Sequence, residues 1–301
     1  MKKRLITSGV AIILAIIIII ISRINAIFLV APVTGLTVIS ILELAKVLEI
    51  KSKMLKTCSV VYALCTPFFV TGNALYNAFT GKELSVKLNS TGIVLLSILY
   101  VLVTLHSMLK HYTSVKFEQV ATLMFGTMGV SLGMALLPAF HQLGYYYPSV
   151  FSKGDSMFIF IYSMVVCWTF DGGAYFIGSA FGKHKMAPQI SPKKSWEGYI
   201  GGIVLGEIFC IIFFLLFKRF AAGEYQPQMF NIPIVAIMSP ILATLSIMGD
   251  LSASTIKRNL GVKDFGNFFP GHGGVLDRFD SVLYVTPIIY VICKVMVMIK
   301  S

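Results

Sequence analysis

Acidic residues are scarce in this 301-residue chain: 13 Asp and Glu stand against 25 Lys and Arg. Charged residues of both signs make up 13% of the sequence, where a soluble domain carries roughly 25%. That shortage excludes an ordinary water-solvated surface. Cysteine is also rare, and none of Cys58, Cys65, Cys167, Cys210 and Cys293 belongs to a C-x-x-C pair, which argues against a zinc site or a disulfide framework. There is no H-E-x-x-H motif. Gly178 to Lys183 approaches a P-loop, but its spacing is short, it lacks the terminal Ser or Thr, and it follows a helical stretch rather than a strand. No A-x-A cleavage site follows the run after Lys2-Lys3-Arg4, so that run reads as an uncleaved first span and not as a signal peptide.

Apolar residues are what the chain has in quantity, at 56%. Runs approaching or exceeding the roughly 20 residues that cross a bilayer occur at about 5–22, 27–42, 57–79, 91–109, 119–138, 157–181, 199–217, 232–252 and 279–298. The second is short and could form a hairpin with the first. The expected fold class is an all-α polytopic integral membrane protein with about nine transmembrane helices. With the N-terminus inside, 17 of the 25 Lys and Arg fall on inner segments, so the positive-inside rule gives N-in/C-out; Lys218-Arg219 dissents mildly. Much of the net charge of +12 is therefore topogenic and suited to anionic membrane lipids, and no nucleic acid is needed to explain it. Residues 1–150 read as N-terminal transmembrane helices, about five in number. Residues 151–301 read as a second region with polar cytoplasmic loops at 182–198 and 256–278.

Four of the 13 acids lie between Asp250 and Asp280, alongside Lys257, Arg258, Lys263, His272 and Arg278. Apolar runs flank this cluster on both sides. On a helix, Asp250, Ser254 and Lys257 share one face, as do Asp277 and Asp280. Between them, Gly266, Gly271, Gly273 and Gly274 would let backbone N–H groups approach an anion closely. Carboxylate oxygens from two helices suit Mg²⁺, which keeps several waters and binds substrate phosphates. Asp250 and Asp277 are the expected ligands, with Asp280 a second candidate or a partner that orients Lys257. His272 could touch substrate or cap the loop. Upstream, Asp171 is an acid inside a span and so a candidate for site support; Glu43 and Glu207 are further acids of this kind. Ser191-Pro192 reads as an N-cap and N1 pair. That reading puts Lys193, Lys194 and Ser195 in a helical first turn, a setting that favours a phosphate. Gly198, Gly202 and Gly206 form a small-xxx-small ladder, repeated by Gly129 and Gly133, whose partner helices the sequence leaves open.

The stretch from Ser254 to Asp280 resembles the signature of the phosphatidate cytidylyltransferase (CDP-diacylglycerol synthase) family. The matching positions are Ser254, Lys257, Arg258, Lys263, Asp264, Gly266, Phe269, Pro270, His272, Gly273, Gly274, Asp277, Arg278 and Asp280. Asp171-Gly-Gly-Ala-Tyr and Ser191-Pro-Lys-Lys-Ser-Trp-Glu-Gly, which includes Glu197, are also similar, with Ser195 where many members have threonine. The resemblance covers residues 168–280. It implies Mg²⁺-dependent transfer of CMP from CTP to phosphatidic acid, releasing pyrophosphate, by a homodimer; the Lys and Arg count puts both polar loops on the cytoplasmic side of the cell membrane. Asp250, Lys257, Asp277 and Asp280 would then be catalytic, with Asp250 and Asp277 on the metal. Lys193, Lys194, Ser195, Ser254, Arg258, Lys263, His272, Gly273, Gly274 and Arg278 would bind substrate, and Asp171 and Glu197 would support them. A transporter with an ion pathway is the rival of a different class. It would need its acids near the midplane, whereas these lie at span ends among Lys, Arg and Gly.

Overall fold

A computed structural model describes residues 2–80, 89–113, 115–271 and 273–300. The elements in order are α1 (Lys2–Ser22), α2 (Ile27–Val47), α3 (Lys53–Thr80), α4 (Asn89–Lys110), α5 (Phe117–His141), the single turn α6 (Leu143–Tyr146), α7 (Lys153–Phe181), β1 (Lys185–Ala187), β2 (Ser191–Ser195), α8 (Trp196–Phe220), a 3₁₀ turn (Gly223–Tyr225), α9 (Ile232–Asn259) and α10 (Leu276–Lys300). Among the described residues, eight helices are long and apolar enough to cross a membrane, and Ile13–Ser22 in α1 is a shorter apolar stretch. Each run expected from the sequence falls on one of these helices. Helices suit such runs because lipid offers no partner for a free N–H or C=O, so each segment must satisfy its own backbone. Pro32, Pro67, Pro138, Pro240 and Pro287 lie inside helices, as membrane helices permit.

The helices group largely in chain order, but the loop after α9 and the first turn of α10 belong with the N-terminal helices. One compact unit comprises Met1–Ala139 with Leu260–Phe279; the other comprises Phe140–Asn259 with Asp280–Ser301.

In the first unit, α3 and α4 are joined by a largely buried polar seam. Tyr62 and Tyr100 stack with ring centroids 4.7 Å apart. Their hydroxyls hydrogen-bond to Ser97 Oγ and Ser59 Oγ, each at 2.9 Å. Gln119 Nε2 donates to Leu48 O at 2.9 Å and so satisfies a carbonyl at the end of α2.

In the second unit, α7 and α8 pack closely along the glycine ladder. A Cβ on Gly202 would come within 2.9 Å of Ala174 Cβ, one on Gly198 within 3.0 Å of Gly178 Cα, and one on Gly206 within 2.5 Å of the Phe170 ring. The partner that the sequence left open is therefore a helix of the same chain. At the start of α7, Ser152 and Asp155 form a capping box. Asp155 Oδ1 also accepts from the N–H groups of Gln228 and Met229, both at 2.9 Å. Tyr162 OH bonds Ser239 Oγ of α9 at 2.8 Å, and Tyr199 OH of α8 bonds Thr244 Oγ1 at 3.0 Å. Gly249 lets α9 lie against the backbone of Asp280 and Ser281 in α10.

Candidate functional site

One reading from the sequence needs correction. Ser191-Pro192 does not open a helix. Residues Ser191–Ser195 form β2, which pairs antiparallel with β1 in the register Lys185↔Ser195 and Ala187↔Ser191. The helix begins at Trp196, and its N-cap is Ser195, whose Oγ accepts from Gly198 N at 3.2 Å. A Ser-Pro pair fits an extended segment as well as a helix start, because proline's fixed φ is allowed in both and proline is tolerated at a sheet edge. Lys193 and Lys194 thus stand on a strand leading into the helix. Lys193 is exposed and Lys194 is half-buried.

Two contacts fix this hairpin. Glu197, in the first turn of α8, accepts from the N–H groups of Lys183 (3.1 Å) and His184 (3.2 Å) and lies 2.5 Å from His184 Nδ1. Arg258, near the end of α9, donates from Nε to Ile190 O at 3.3 Å. Lys194 Nζ then lies 2.5 Å from Asp250 Oδ2, with the two side chains 23% and 29% exposed. Ser254 Oγ donates to Asp250 Oδ1 over a long 3.4 Å. Lys257 is 7% exposed. It shares electrostatic reach of the buried Asp280 with Asp250 and Asp171. The second unit therefore gathers Lys194, Asp250, Ser254, Lys257 and Asp280, with the exposed Asp171 at its margin. A buried ammonium among carboxylates is the arrangement that offsets the cost of taking either charge out of water.

The first unit carries the glycine loop. Gly271 and Gly273 have φ of 81° and 87°, a region that only glycine enters without strain. Phe269 N donates to Gly273 O at 3.0 Å and closes the turn. Asp277, at the start of α10 and 7% exposed, accepts through Oδ2 from Phe265 N at 2.9 Å and Gly274 N at 3.0 Å. The next two N–H groups go elsewhere: Val275 N and Leu276 N donate to Glu43 Oε1 and Oε2 of α2, both at 3.1 Å. Lys263, Asp264 and Arg278 are exposed. His272 lies outside the described residues.

Among the described residues, no three or more His, Cys, Asp or Glu side chains converge as a metal site. Mg²⁺ does not require such a cage, since it retains water and takes one or two carboxylates together with substrate phosphates. The side-chain oxygens of Asp277 in the first unit, and of Asp250 and Asp280 in the second, are each hard donors of the kind that ion takes. Sequence reasoning missed the hairpin, the Arg258–Ile190 contact and the partners of Glu43. The acid of Glu43 at the end of an apolar run was the one available signal.

The model of the cytidylyltransferase family matches residues 2–296. The chain is similar to phosphatidate cytidylyltransferases of Haemophilus influenzae (43% identity over 131 residues, 44% of each chain) and Bacillus subtilis (43% over 129 residues, 43% of this chain and 45% of the relative). It is also similar to that of Staphylococcus haemolyticus, at 40% over 141 residues, covering 47% of this chain and 51% of the relative. The matched stretch thus spans about half the length of each of these relatives.

Proposed function

The chain belongs to the cytidylyltransferase family, and from that premise we propose that it transfers CMP from CTP to phosphatidic acid, giving CDP-diacylglycerol and pyrophosphate. The observation that carries this reading is the polar set Lys194, Asp250, Ser254, Lys257 and Asp280, brought together from the strand β2 and the long apolar helices α9 and α10. Such a site suits a substrate with a phosphate head and hydrocarbon tails. The proposed setting is a cell membrane, with the site on the cytoplasmic side as the lysine and arginine distribution suggests, and with the chain as a homodimer.

The chemistry asks little covalent work of the protein. A phosphate monoester has its second pKa near 6, so phosphatidate arrives largely dianionic and needs no strong base. Its oxygen forms a bond to the α-phosphorus of CTP, and the bond from that phosphorus to the bridging oxygen breaks as pyrophosphate leaves. The demands are alignment and charge neutralisation. Lys194 is held by Asp250 until phosphate oxygens compete for its ammonium. Lys257 faces the same acids and supplies the second cation. Arg258 fixes the hairpin that carries Lys193 and Lys194, and Ser195 sets where that hairpin becomes helix. Lys263, Arg278, His272 and the N–H groups of Gly273 and Gly274 are the proposed phosphate contacts of the glycine loop. Asp250 and Asp277 are the proposed Mg²⁺ ligands, with Asp280, Asp171 and Glu197 in support. A bound Mg²⁺ would supply positive charge to the phosphate oxygens.

The test is an assay of the detergent-purified protein with labelled CTP, phosphatidate and Mg²⁺. A lipid-linked CMP product that disappears with chelator is expected. Absence of that product with active relatives run in parallel would overturn the assignment.

A further inference from the structure

Glu43 stands 232 residues from its hydrogen-bond partners and outside every stretch that the cytidylyl-transfer reading uses. The residue is 9% exposed. Each carboxylate oxygen accepts one backbone N–H, from Val275 and Leu276, at 3.1 Å. These donors lie where α10 begins, and the first N–H groups of a helix have no intrahelical acceptor. The preceding N–H, that of Gly274, goes to Asp277 Oδ2, as does that of Phe265. Two carboxylates therefore divide the N–H groups of one turn between them. Three successive donors, at 274, 275 and 276, are directed by Asp277 and Glu43 together.

The glycines around this turn record the same contact. A Cβ built on Gly274 would come within 2.5 Å of Glu43 Oε2, and for Gly266 the three nearest atoms all belong to Glu43. Neither position carries a positive φ. Glycine is required at 266 and 274 because a side chain from α2 occupies the space, not because the backbone is strained there.

We propose that Glu43 is a positioning residue for Asp277: it holds the turn 274–276 so that the Asp277 carboxylate is presented in one orientation. The inference rests on the cytidylyl-transfer reading for its catalytic consequence, but the clamp itself does not. A carboxylate is needed because both oxygens must accept. In glutamine one of them becomes an NH₂ donor and meets a backbone N–H head on.

The experiment uses the full chain in detergent with Glu43→Gln, Glu43→Ala and Gly266→Ala. Hydrogen exchange measured by mass spectrometry reads the clamp without reference to activity. For Glu43→Gln, peptides covering 264–280 should exchange about ten-fold faster while those of α7 and α8 keep their wild-type rates, because a buried charge-assisted hydrogen bond is replaced by a repulsive contact. Turnover should fall about ten- to a hundredfold with the KM for CTP nearly unchanged, the signature of a reacting group that is misplaced while substrate still binds. Gly266→Ala should reproduce the local exchange by crowding Glu43. In the Glu43→Ala background, where the crowded side chain is gone, it should add nothing.

Wild-type exchange at 264–280 in Glu43→Gln would overturn the clamp, as would a Gly266→Ala effect equally large in both backgrounds. Faster exchange with unaltered turnover would overturn the positioning role, and faster exchange along every helix would reduce Glu43 to a general structural residue. A protein without cytidylyl transfer fails the functional reading instead, and the exchange data then still decide the clamp.

Discussion

The two units hold their key carboxylates in opposite ways. Asp277 in the first unit is gripped by backbone: two N–H groups on one oxygen, from a turn that a second carboxylate braces. Asp250 in the second unit is held by side chains, the Lys194 ammonium on one oxygen and the Ser254 hydroxyl on the other. Backbone dipoles cannot leave without the turn refolding, whereas a lysine on a four-carbon stem exchanges partners by rotating. One acid is thus a fixed acceptor and the other is exchangeable. The proposed cytidylyl transfer would have use for both kinds, since charge that arrives with a substrate must displace something.

The sharpest way to break this contrast is Asp277→Asn. The amide oxygen still accepts from Phe265 and Gly274, so the protein should fold with an unchanged melting temperature, while removal of the charge lowers CMP transfer about a thousandfold or more. Substantial activity in this variant would deny Asp277 the metal.

Next comes Lys194→Met, expected to lower turnover about a hundredfold because it removes a cation and leaves Asp250 without its ion-pair partner. The exchangeable pair should also show in a double-mutant cycle. Asp250→Asn should cost less in the Lys194→Met background than in the wild type, with a coupling of about 1–2 kcal/mol. Strict additivity would mean that the two do not act as a pair.

The smallest effect is expected from Lys153 and Glu224, an ion pair of the same chemistry whose side chains are 66% and 70% exposed. Glu224 is held below the usual carboxylate range, chiefly by the hydrogen bond from Lys153. A lowered folded-state value means that the stabilisation is complete above the ordinary carboxylate pKa and is lost as pH falls through the lowered one. Because exposed pairs contribute little, Glu224→Gln should melt with the wild type at neutral pH, converge with it further in acid, and leave transfer untouched. A clear neutral-pH loss would show that pairing as such matters here, whatever its burial.

The spans were legible because apolar runs of that length have one low-energy solution in lipid. Their ends were not. α2 continues to Val47 and α9 to Asn259, past the ends of the runs at 42 and 252, because Glu43, Lys46, Ser254 and Lys257 lower the hydropathy there without interrupting the helix. The Ser254–Asp280 pattern was legible as a polar cluster, since acids, lysines and glycines stand out between apolar runs. The hairpin at 185–195 was not, for strands of three and five residues show no period and Ser-Pro points equally to a helix. The glycine ladder was visible, but its partner was not. Ala174, Gly178 and Phe170 answer it only through tertiary packing, and the pair of bonds that Glu43 accepts from Val275 N and Leu276 N is closer to invisible still.

That pair of bonds bears on how freely such a chain can be cut and recombined. A fragment beginning at residue 151 would keep every position of the Ser254–Asp280 pattern. It would nevertheless arrive with two N–H donors at 275 and 276 facing an empty space where a carboxylate had been. A chimaera faces the same demand: N-terminal helices taken from another source are compatible only if they bring an acid to the position of Glu43 and leave room at 266 and 274. The N-terminal helices are then less an anchor than a component that has to be matched to the loop it serves.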